Sequence, residues 1–152
     1  MVIRIISLLI ILDLTSCSHE KKSVTERIPL EGTWQLISGT IIEEGDTTVT
    51  DYTKDQRMIK LINKTHFAFL NHDLNKGQDS TAVFVAGGGE YELKGDQYIE
   101  HLAYCNFREW EGNDFQFTVM IKNDTLIQSG IEKIEGIGVD RMNVEKYVRI
   151  DN

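Results

Sequence analysis

The chain has 152 residues, of which 24 are Asp or Glu and 16 are Lys or Arg, and its formal net charge at pH 7 is -8. This acidic balance argues against nucleic acid and anionic lipid headgroups as partners, because both are bound through clustered Lys and Arg side chains that neutralise phosphates. Residues 30–152 fit one domain of ordinary size with one hydrophobic core.

The first predicted element is a secretion signal over residues 1–16. Arg4 precedes an apolar run over residues 5–12, and Leu14-Thr15-Ser16-Cys17 follows. This order is similar to that of a bacterial lipoprotein signal peptide, which is cleaved directly before a cysteine that then carries acyl chains. The apolar run is too short for a membrane-spanning helix, which needs about 20 apolar residues. We therefore expect lipidation of Cys17 and membrane contact through that lipid.

Residues 17–29 are predicted to be the lipidated cysteine and a flexible tether, since the residues after Cys17 are polar and charged without apolar periodicity. A flexible segment of this length has a typical reach of roughly 20 Å. No aspartate directly follows Cys17 and no strong acidic run comes next, so we expect the outer membrane, facing the periplasm. Once Cys17 is acylated, Cys105 has no intramolecular disulfide partner and is predicted to be a buried apolar thiol.

Residues 30–152 are predicted to be all-β, because apolar residues recur with period two far more often than with period 3.6. No segment combines a helical apolar stripe with capping residues, which argues against a βαβ architecture. Sequential hairpins and the need to remove exposed edges favour an antiparallel up-and-down barrel of about 8 to 9 strands. The predicted strands are Gly32–Ile42, Gln56–Ile62, Thr65–Asn71, Thr81–Ala86, Gly88–Lys94, Gln97–Cys105, Asp114–Lys122, Asp124–Ile131 and Met142–Ile150.

Two-residue hairpin turns are predicted at Lys94-Gly95 and Lys122-Asn123, because glycine and asparagine tolerate the positive φ that such turns require. A turn at Lys94-Gly95 pairs Tyr91 with Tyr98 and Gly89 with Glu100. The face that results is predicted to look inward, and its mixture of aromatic rings with one carboxylate suits a mostly apolar pocket. The predicted ligand-binding residues on this face are Tyr91, Tyr98, Glu100, Leu102 and Tyr104, with Leu93 beside them.

Two alternatives to this pocket stay open. In the first, the same face fills the barrel core, and Glu100 is hydrogen-bonded there or reaches the rim. In the second, a three-residue turn reverses the facing and places a different set of side chains inside, namely Ile99, His101, Ala103 and Cys105.

Gly87-Gly88-Gly89 is predicted to form a bend or bulge that lets the sheet curl, or a mobile start of a strand at the barrel rim. No helix with a phosphate-binding lysine or serine follows it, so it is not a P-loop. His66 and His72 are separated by about 20 Å along a strand at 3.3 Å per residue, too far to share a metal ion. His101 and Cys105 are also far apart on one strand, so no metal and no other cofactor is expected.

Gly32-Thr33-Trp34 at the start of the first domain strand and Arg149 on the last strand resemble the Gly-x-Trp motif and the late arginine of lipocalins. The resemblance implies that Arg149 lies across the Trp34 indole and closes the base of a barrel, a contact of about 0.5 to 2 kcal/mol. The second lipocalin motif, Thr-Asp-Tyr, belongs late in the barrel, whereas Thr50-Asp51-Tyr52 comes soon after Trp34. The chain is therefore similar to the looser lipocalin-like, or calycin, class of small bacterial lipoproteins.

The resulting functional hypothesis is a lipid-anchored binding protein of the cell envelope whose barrel takes a small, largely apolar ligand. A second hypothesis is a structural or interaction module with a filled barrel, which contacts an envelope protein through its outer face, an exposed Trp110 or the loop Glu132 to Arg141. A third is a small barrel hydrolase or isomerase with Glu100 as acid or base. No serine has a convincing histidine and acid arrangement, so catalysis is unsupported by the sequence.

Overall fold

The computed structural model of the protein describes residues 28–150, and the predicted signal peptide, Cys17 and most of the tether lie outside this range. Within it, no helix combines the length and the apolar character needed to cross a bilayer. The elements, in chain order, are β1 (Gly32–Glu43), β2 (Asp46–Asp51), β3 (Gln56–Ile62), β4 (His66–Asp73), β5 (Phe84–Lys94), β6 (Gln97–Cys105), a 3₁₀ turn (Arg108–Trp110), β7 (Asn113–Lys122), β8 (Thr125–Ile134), a second 3₁₀ turn (Glu135–Ile137) and β9 (Val139–Arg149).

The strands form one antiparallel sheet that closes on itself. Each of the strands from β3 to β8 pairs with the next one along the chain, and β1 pairs with both β3 and β9. Eight strands therefore make a closed barrel, and β2 is one additional strand that pairs with the second half of β1. Closure satisfies the hydrogen bonds that an open edge would leave unpaired. The predicted all-β antiparallel barrel is confirmed.

The predicted number of strands is correct only because one strand was not predicted and another was predicted as two. The segment β2 has the sequence DTTVTD, and it was missed because its short polar run carries no apolar alternation. The predicted strands Thr81–Ala86 and Gly88–Lys94 are the single strand β5, which continues through the three glycines. The glycines mark an irregularity inside a strand and not the gap between two strands.

That irregularity is a β-bulge, which was the first of the two structures predicted for the three glycines. The pairing of β5 with β6 shifts register between Gly88 and Gly89. A Cβ atom on Gly89 would lie 1.9 Å from the carbonyl oxygen of His101, so only glycine allows this approach. Because a bulge inserts one extra residue, it reverses the facing of β6 beyond Leu102. Cys105 therefore points inward and Tyr104 points outward.

The β5–β6 and β7–β8 hairpins turn one residue later than predicted. Lys94 pairs with Gln97 and Lys122 pairs with Thr125, so the loops are Gly95-Asp96 and Asn123-Asp124. The φ angles of Gly95, Asn123 and Asp124 are 65°, 49° and 58°, as two-residue hairpin loops favour. Moving a two-residue loop by one position changes the pairing by two residues, which preserves the facing of every side chain. The predicted pair of Tyr91 with Tyr98 is wrong, yet both rings point inward.

One end of the barrel is closed by the contact that the sequence predicts between Trp34 and Arg149. The Cζ atom of Arg149 lies 4.0 Å from the centroid of the fully buried Trp34 ring. The Arg149 guanidinium also donates hydrogen bonds of 2.7 and 2.8 Å to the carbonyl oxygens of Pro29 and Glu31. Trp34 Nε1 donates to the carbonyl oxygen of Leu30 at 2.8 Å. The chain thus enters the barrel across its closed base.

Candidate ligand cavity

A cavity of about 460 Å³ occupies the half of the barrel farthest from Trp34. This volume lies within the range of small-molecule sites, which is about 300 to 1,000 Å³. Its apolar wall is mostly aromatic and is provided by strands on several sides of the barrel. Its aromatic members are Tyr52, Phe69, Phe107, Trp110, Phe115, Phe117 and Tyr147, and the others are Ile41, Met58, Val85, Leu102 and Cys105.

Trp110 belongs to this wall and is half-buried, so the predicted exposed Trp110 is wrong. The 3₁₀ turn Arg108–Trp110 follows β6 and carries the indole toward the cavity. Its ring centroid lies 5.7 Å from that of Phe115, and the Arg141 guanidinium lies 5.3 Å from it. Loop residues near the end of a strand follow no apolar periodicity, which is why the sequence did not indicate this packing.

The structure separates the five predicted ligand-binding residues. Glu100 and Leu102 line the cavity. Tyr98 is fully buried but does not line it, and Tyr91 lies beside the closed base, where its hydroxyl donates to the carbonyl oxygen of Asn63 at 2.7 Å. Tyr104 is 71% exposed on the outer surface, so its predicted inward facing is wrong. The bulge at Gly88 and Gly89 accounts for this reversal.

A buried ion pair lies at the inner end of the cavity. Lys60 is only 2% exposed, and its Nζ atom contacts Glu100 Oε1 and donates a hydrogen bond of 2.9 Å to Gln128 Oε1. It also lies 5.5 to 5.7 Å from the ring centroids of Phe67, Tyr98 and Tyr147. A charge so far from water persists only with a partner and further hydrogen bonds, and Lys60 has both.

Tyr98 remains a phenol beside this ion pair. Burial is the larger cause, and the nearby Glu100 carboxylate adds to it, so both raise the pKa of Tyr98 above its ordinary value. Ionisation of the Tyr98 phenol would place a second negative charge next to the Glu100 carboxylate, in surroundings with little water, which is unfavourable. The Tyr98 hydroxyl therefore stays neutral.

A second ion pair lies in the cavity wall. The Nε and Nη2 atoms of Arg141 each lie 2.8 Å from Glu132 Oε2. Asn143 Nδ2 donates to the other oxygen of Glu132 at 2.8 Å. Both oxygens of the Glu132 carboxylate are thus engaged, and the charge of Arg141 is matched.

Glu145, also on β9, is a third carboxylate lining the cavity. Tyr147 donates a hydrogen bond of 2.7 Å to its Oε2 atom, and within residues 28–150 it forms no ion pair. Withdrawal from water raises the pKa of Glu145, while Lys60 and the hydrogen bond from Tyr147 oppose that shift. Its charge is thus the least compensated one in the cavity.

Asn71 on β4 contributes an unmatched polar atom to the lining of the cavity. Its side chain lines the cavity and is 6% exposed. Asn71 Nδ2 donates to Gln56 Oε1 at 3.1 Å, and Oδ1 accepts no hydrogen bond from the described part of the chain. Because an unmatched buried acceptor is costly, this atom is suited to receive a donor from a ligand.

Most of these polar side chains do not stand out in the sequence, because an apolar alternation marks only the apolar residues of the inward face. Lys60 occupies the inward position between Met58 and Ile62, and this lysine in an otherwise apolar alternation was the available signal. In β9 the inward positions carry mostly polar residues, so a period-two search for apolar side chains finds nothing there.

These features define a closed antiparallel β-barrel with an internal cavity that is aromatic along its wall and charged at its inner end. Comparison of the chain with models of known protein families and with curated proteins finds no match. Within residues 28–150, no three His, Cys, Asp or Glu side chains are grouped so that they would hold a metal ion.

Proposed function

We propose that this protein is a lipid-anchored, lipocalin-like binding protein of the cell envelope that takes a small, largely apolar ligand into its barrel. The observation that supports this proposal is the cavity of about 460 Å³ with its aromatic wall. Binding there removes apolar ligand surface from water, which is the main source of affinity in such sites. Glu100 and Leu102 are the two predicted ligand residues placed to take part.

The position of the closed base agrees with an anchor at the N-terminus. Residues 28–31 cross the base beneath Arg149, whereas the cavity occupies the other half of the barrel. A tether leading from Cys17 would reach the base first. The ligand would then enter at the end that faces away from the outer membrane, on the periplasmic side.

A binding titration with a matched pair of variants tests this proposal. The soluble form beginning at Ser18 is examined by native mass spectrometry for a retained small molecule and then titrated with the neutral fluorophore N-phenyl-1-naphthylamine. Val85→Phe places a larger side chain in the cavity, and Val49→Phe makes the same change on the outer surface. We expect Val85→Phe to weaken binding by about tenfold, which corresponds to about 1.4 kcal/mol, and Val49→Phe to leave it unchanged.

The outer surface supports a second candidate function, an interaction module of the envelope. Leu70, Phe84 and Tyr104 lie on the adjacent strands β4, β5 and β6 and are 43%, 65% and 71% exposed. Large exposed apolar side chains on neighbouring strands are typical of protein contact surfaces. A wild-type protein that carries no small molecule and excludes the fluorophore would contradict the ligand hypothesis and favour this module.

A further inference from the structure

The charges that face the cavity are unequal in number. Two are positive, on Lys60 and Arg141, and three are negative, on Glu100, Glu132 and Glu145. Lys60 is paired with Glu100, and Arg141 is paired with Glu132. Both cations are therefore already matched by carboxylates.

The carboxylate left over is Glu145. The charged and titratable groups near it are Lys60 from β3, Glu100 from β6, Glu132 from β8 and its own strand's Tyr147. Tyr52, which follows β2, also interacts electrostatically with Glu145. Burial is the main cause that raises the pKa of Tyr52, and the Glu145 charge raises it further. The Tyr147 hydroxyl is the one hydrogen-bond donor that the described residues bring to Glu145.

The unmatched Asn71 Oδ1 is an independent observation of the same kind. Asn71 lies on β4, which β1 and β3 separate from β9 around the barrel, and it is more than nine-tenths buried. Its Oδ1 atom accepts no hydrogen bond from the described residues. The unmatched polar atoms of the cavity are therefore complementary to a ligand that donates hydrogen bonds or carries positive charge.

The aromatic wall favours the positive charge. A ring face attracts a cation within about 6 Å of its centroid, most strongly where water is excluded. Arg141 already takes the face of Trp110 in this way. Phe69, Phe107, Phe115 and Phe117 supply further rings around the same cavity.

An anionic ligand fits these groups poorly. To pair with Lys60 or Arg141 it would have to displace Glu100 or Glu132, each of which would then be left as a carboxylate without its cation. Leaving a buried charge uncompensated in this way is strongly unfavourable. A neutral ligand would leave the Glu145 carboxylate without a cation.

We propose that the ligand is an organic cation, an ammonium group on an apolar or aromatic body, whose positive charge pairs with Glu145 inside the barrel. This inference rests on the proposed binding function and specifies the chemical class of the ligand. The apolar body lies against the aromatic wall, and a ligand with further N–H donors can also reach Asn71 Oδ1.

The charge of the ligand couples binding to protonation. Because withdrawal from water raises the pKa of Glu145 above its ordinary value, the unliganded carboxyl takes up a proton at a higher pH than an ordinary glutamate does. A bound cation favours the ionised carboxylate and therefore releases a proton. The affinity for the cation should rise as the pH increases through the pKa of Glu145.

Three probes with one common body test the inference: 2-phenylethylamine as the cation, 2-phenylethanol as the neutral analogue and 3-phenylpropionate as the anion. The full chain is held in phosphatidylcholine nanodiscs, with empty discs as the blank, and titrated by calorimetry. We expect the amine to bind at least about tenfold more tightly than the alcohol, a preference of about 1.4 kcal/mol, and the anion to bind most weakly.

Glu145→Gln removes the charge and keeps the shape of the side chain, so it should abolish the preference for the amine and leave binding of the alcohol unchanged. The control is Glu92→Gln, which neutralises a carboxylate on the outer surface beside Lys94 and should leave the preference intact. The comparison of the three probes on the wild-type protein needs no variant and covers the case in which Glu145→Gln does not fold.

The outcomes separate the two proposals. If none of the three probes binds, the proposed binding function itself is wrong. If the alcohol binds as tightly as the amine, or if the anion binds best, the cavity takes a ligand but the assignment of a cation is overturned.

Discussion

Arg149 and Trp34 lie directly opposite each other in the pairing of β9 with β1, and the guanidinium rests 4.0 Å from the centroid of the indole. The contact joins residues from the two ends of the barrel sheet. It combines a cation–π interaction with two hydrogen bonds from Arg149 to the carbonyl oxygens of Pro29 and Glu31. The same arginine therefore holds the closing strand pair and the incoming chain.

Arg149→Gln should lower the free energy of unfolding by about 1 to 3 kcal/mol, because it removes the cation over Trp34 and at least one of the two hydrogen bonds. Chemical denaturation of the full chain measures this loss. Lys146→Gln, an exposed change on the same strand, is the control and should have little effect. Equal stability of the two variants would contradict the role given to Arg149.

Gly89→Ala should disrupt the barrel, because the added Cβ would lie 1.9 Å from the carbonyl oxygen of His101 on the neighbouring strand. Forcing these two strands apart should lower the free energy of unfolding by about 3 kcal/mol or more. Gly136→Ala is the matched control, since nothing lies within 4 Å of a Cβ atom at that position. Thermal unfolding of both variants compares them, and a Gly89→Ala protein as stable as the control would exclude the tight bulge.

Lys60→Met should lower the free energy of unfolding by about 3 to 5 kcal/mol, because it leaves the buried Glu100 without its cation. The double variant Lys60→Met/Glu100→Gln should recover much of that loss, since no uncompensated charge then remains. Lys94→Met, which breaks a fully solvated pair with Glu92, serves as the control and should change stability little. Urea denaturation compares the three variants, and a double variant no more stable than Lys60→Met would argue against the pairing of Lys60 with Glu100.

The imidazole of His101 should titrate above its ordinary pKa, because Asp114 Oδ1 lies 2.8 Å from Nδ1 and favours the charged ring, with a smaller effect from Glu92. The folded-state pKa then exceeds the unfolded value of about 6.5, so the imidazolium stabilises the native state below that pH. This contribution is lost as the pH rises through the folded-state pKa. NMR titration of the imidazole tests it, and Asp114→Asn should move the midpoint down.

Local patterns were sufficient for much of the fold. The strands Gln56–Ile62 and Gln97–Cys105 occur where the sequence predicts them, because alternating side chains and flanking turn residues act over a few positions. Tyr91, Tyr98 and Glu100 face inward as predicted despite the shifted turn. Side chains alternate between the two faces of a strand, so a pairing shifted by two residues leaves each side chain on the same face. The reversal at Tyr104 did not follow from the pattern, because it depends on how closely Gly89 approaches the neighbouring strand.

The candidate site was harder to predict than the strands that carry it. Of the predicted residues, only Glu100 and Leu102 reach the cavity. Lys60 and Glu145 were not predicted, because a polar residue at an inward position looks like a surface residue until its partner is known. The predicted outer loop from Glu132 to Arg141 is wrong, since both residues lie on strands and line the cavity. Lys60 has its partner, Glu100, on a strand that does not neighbour its own, and Glu132 lies directly opposite Arg141 only once β8 and β9 are paired in register.

By itself, the sequence determined the class of fold: period-two alternation and short turns specify antiparallel strands, and Trp34 and Arg149 indicate how they close. The tertiary structure alone decided what the barrel contains. Lys60 Nζ and Gln128 Oε1 are 68 residues apart in the chain and 2.9 Å apart in space. Local periodicity acts along one strand, whereas the compensation of buried charge acts across the barrel, so only the closed sheet determines which charges are matched and which are left for a ligand.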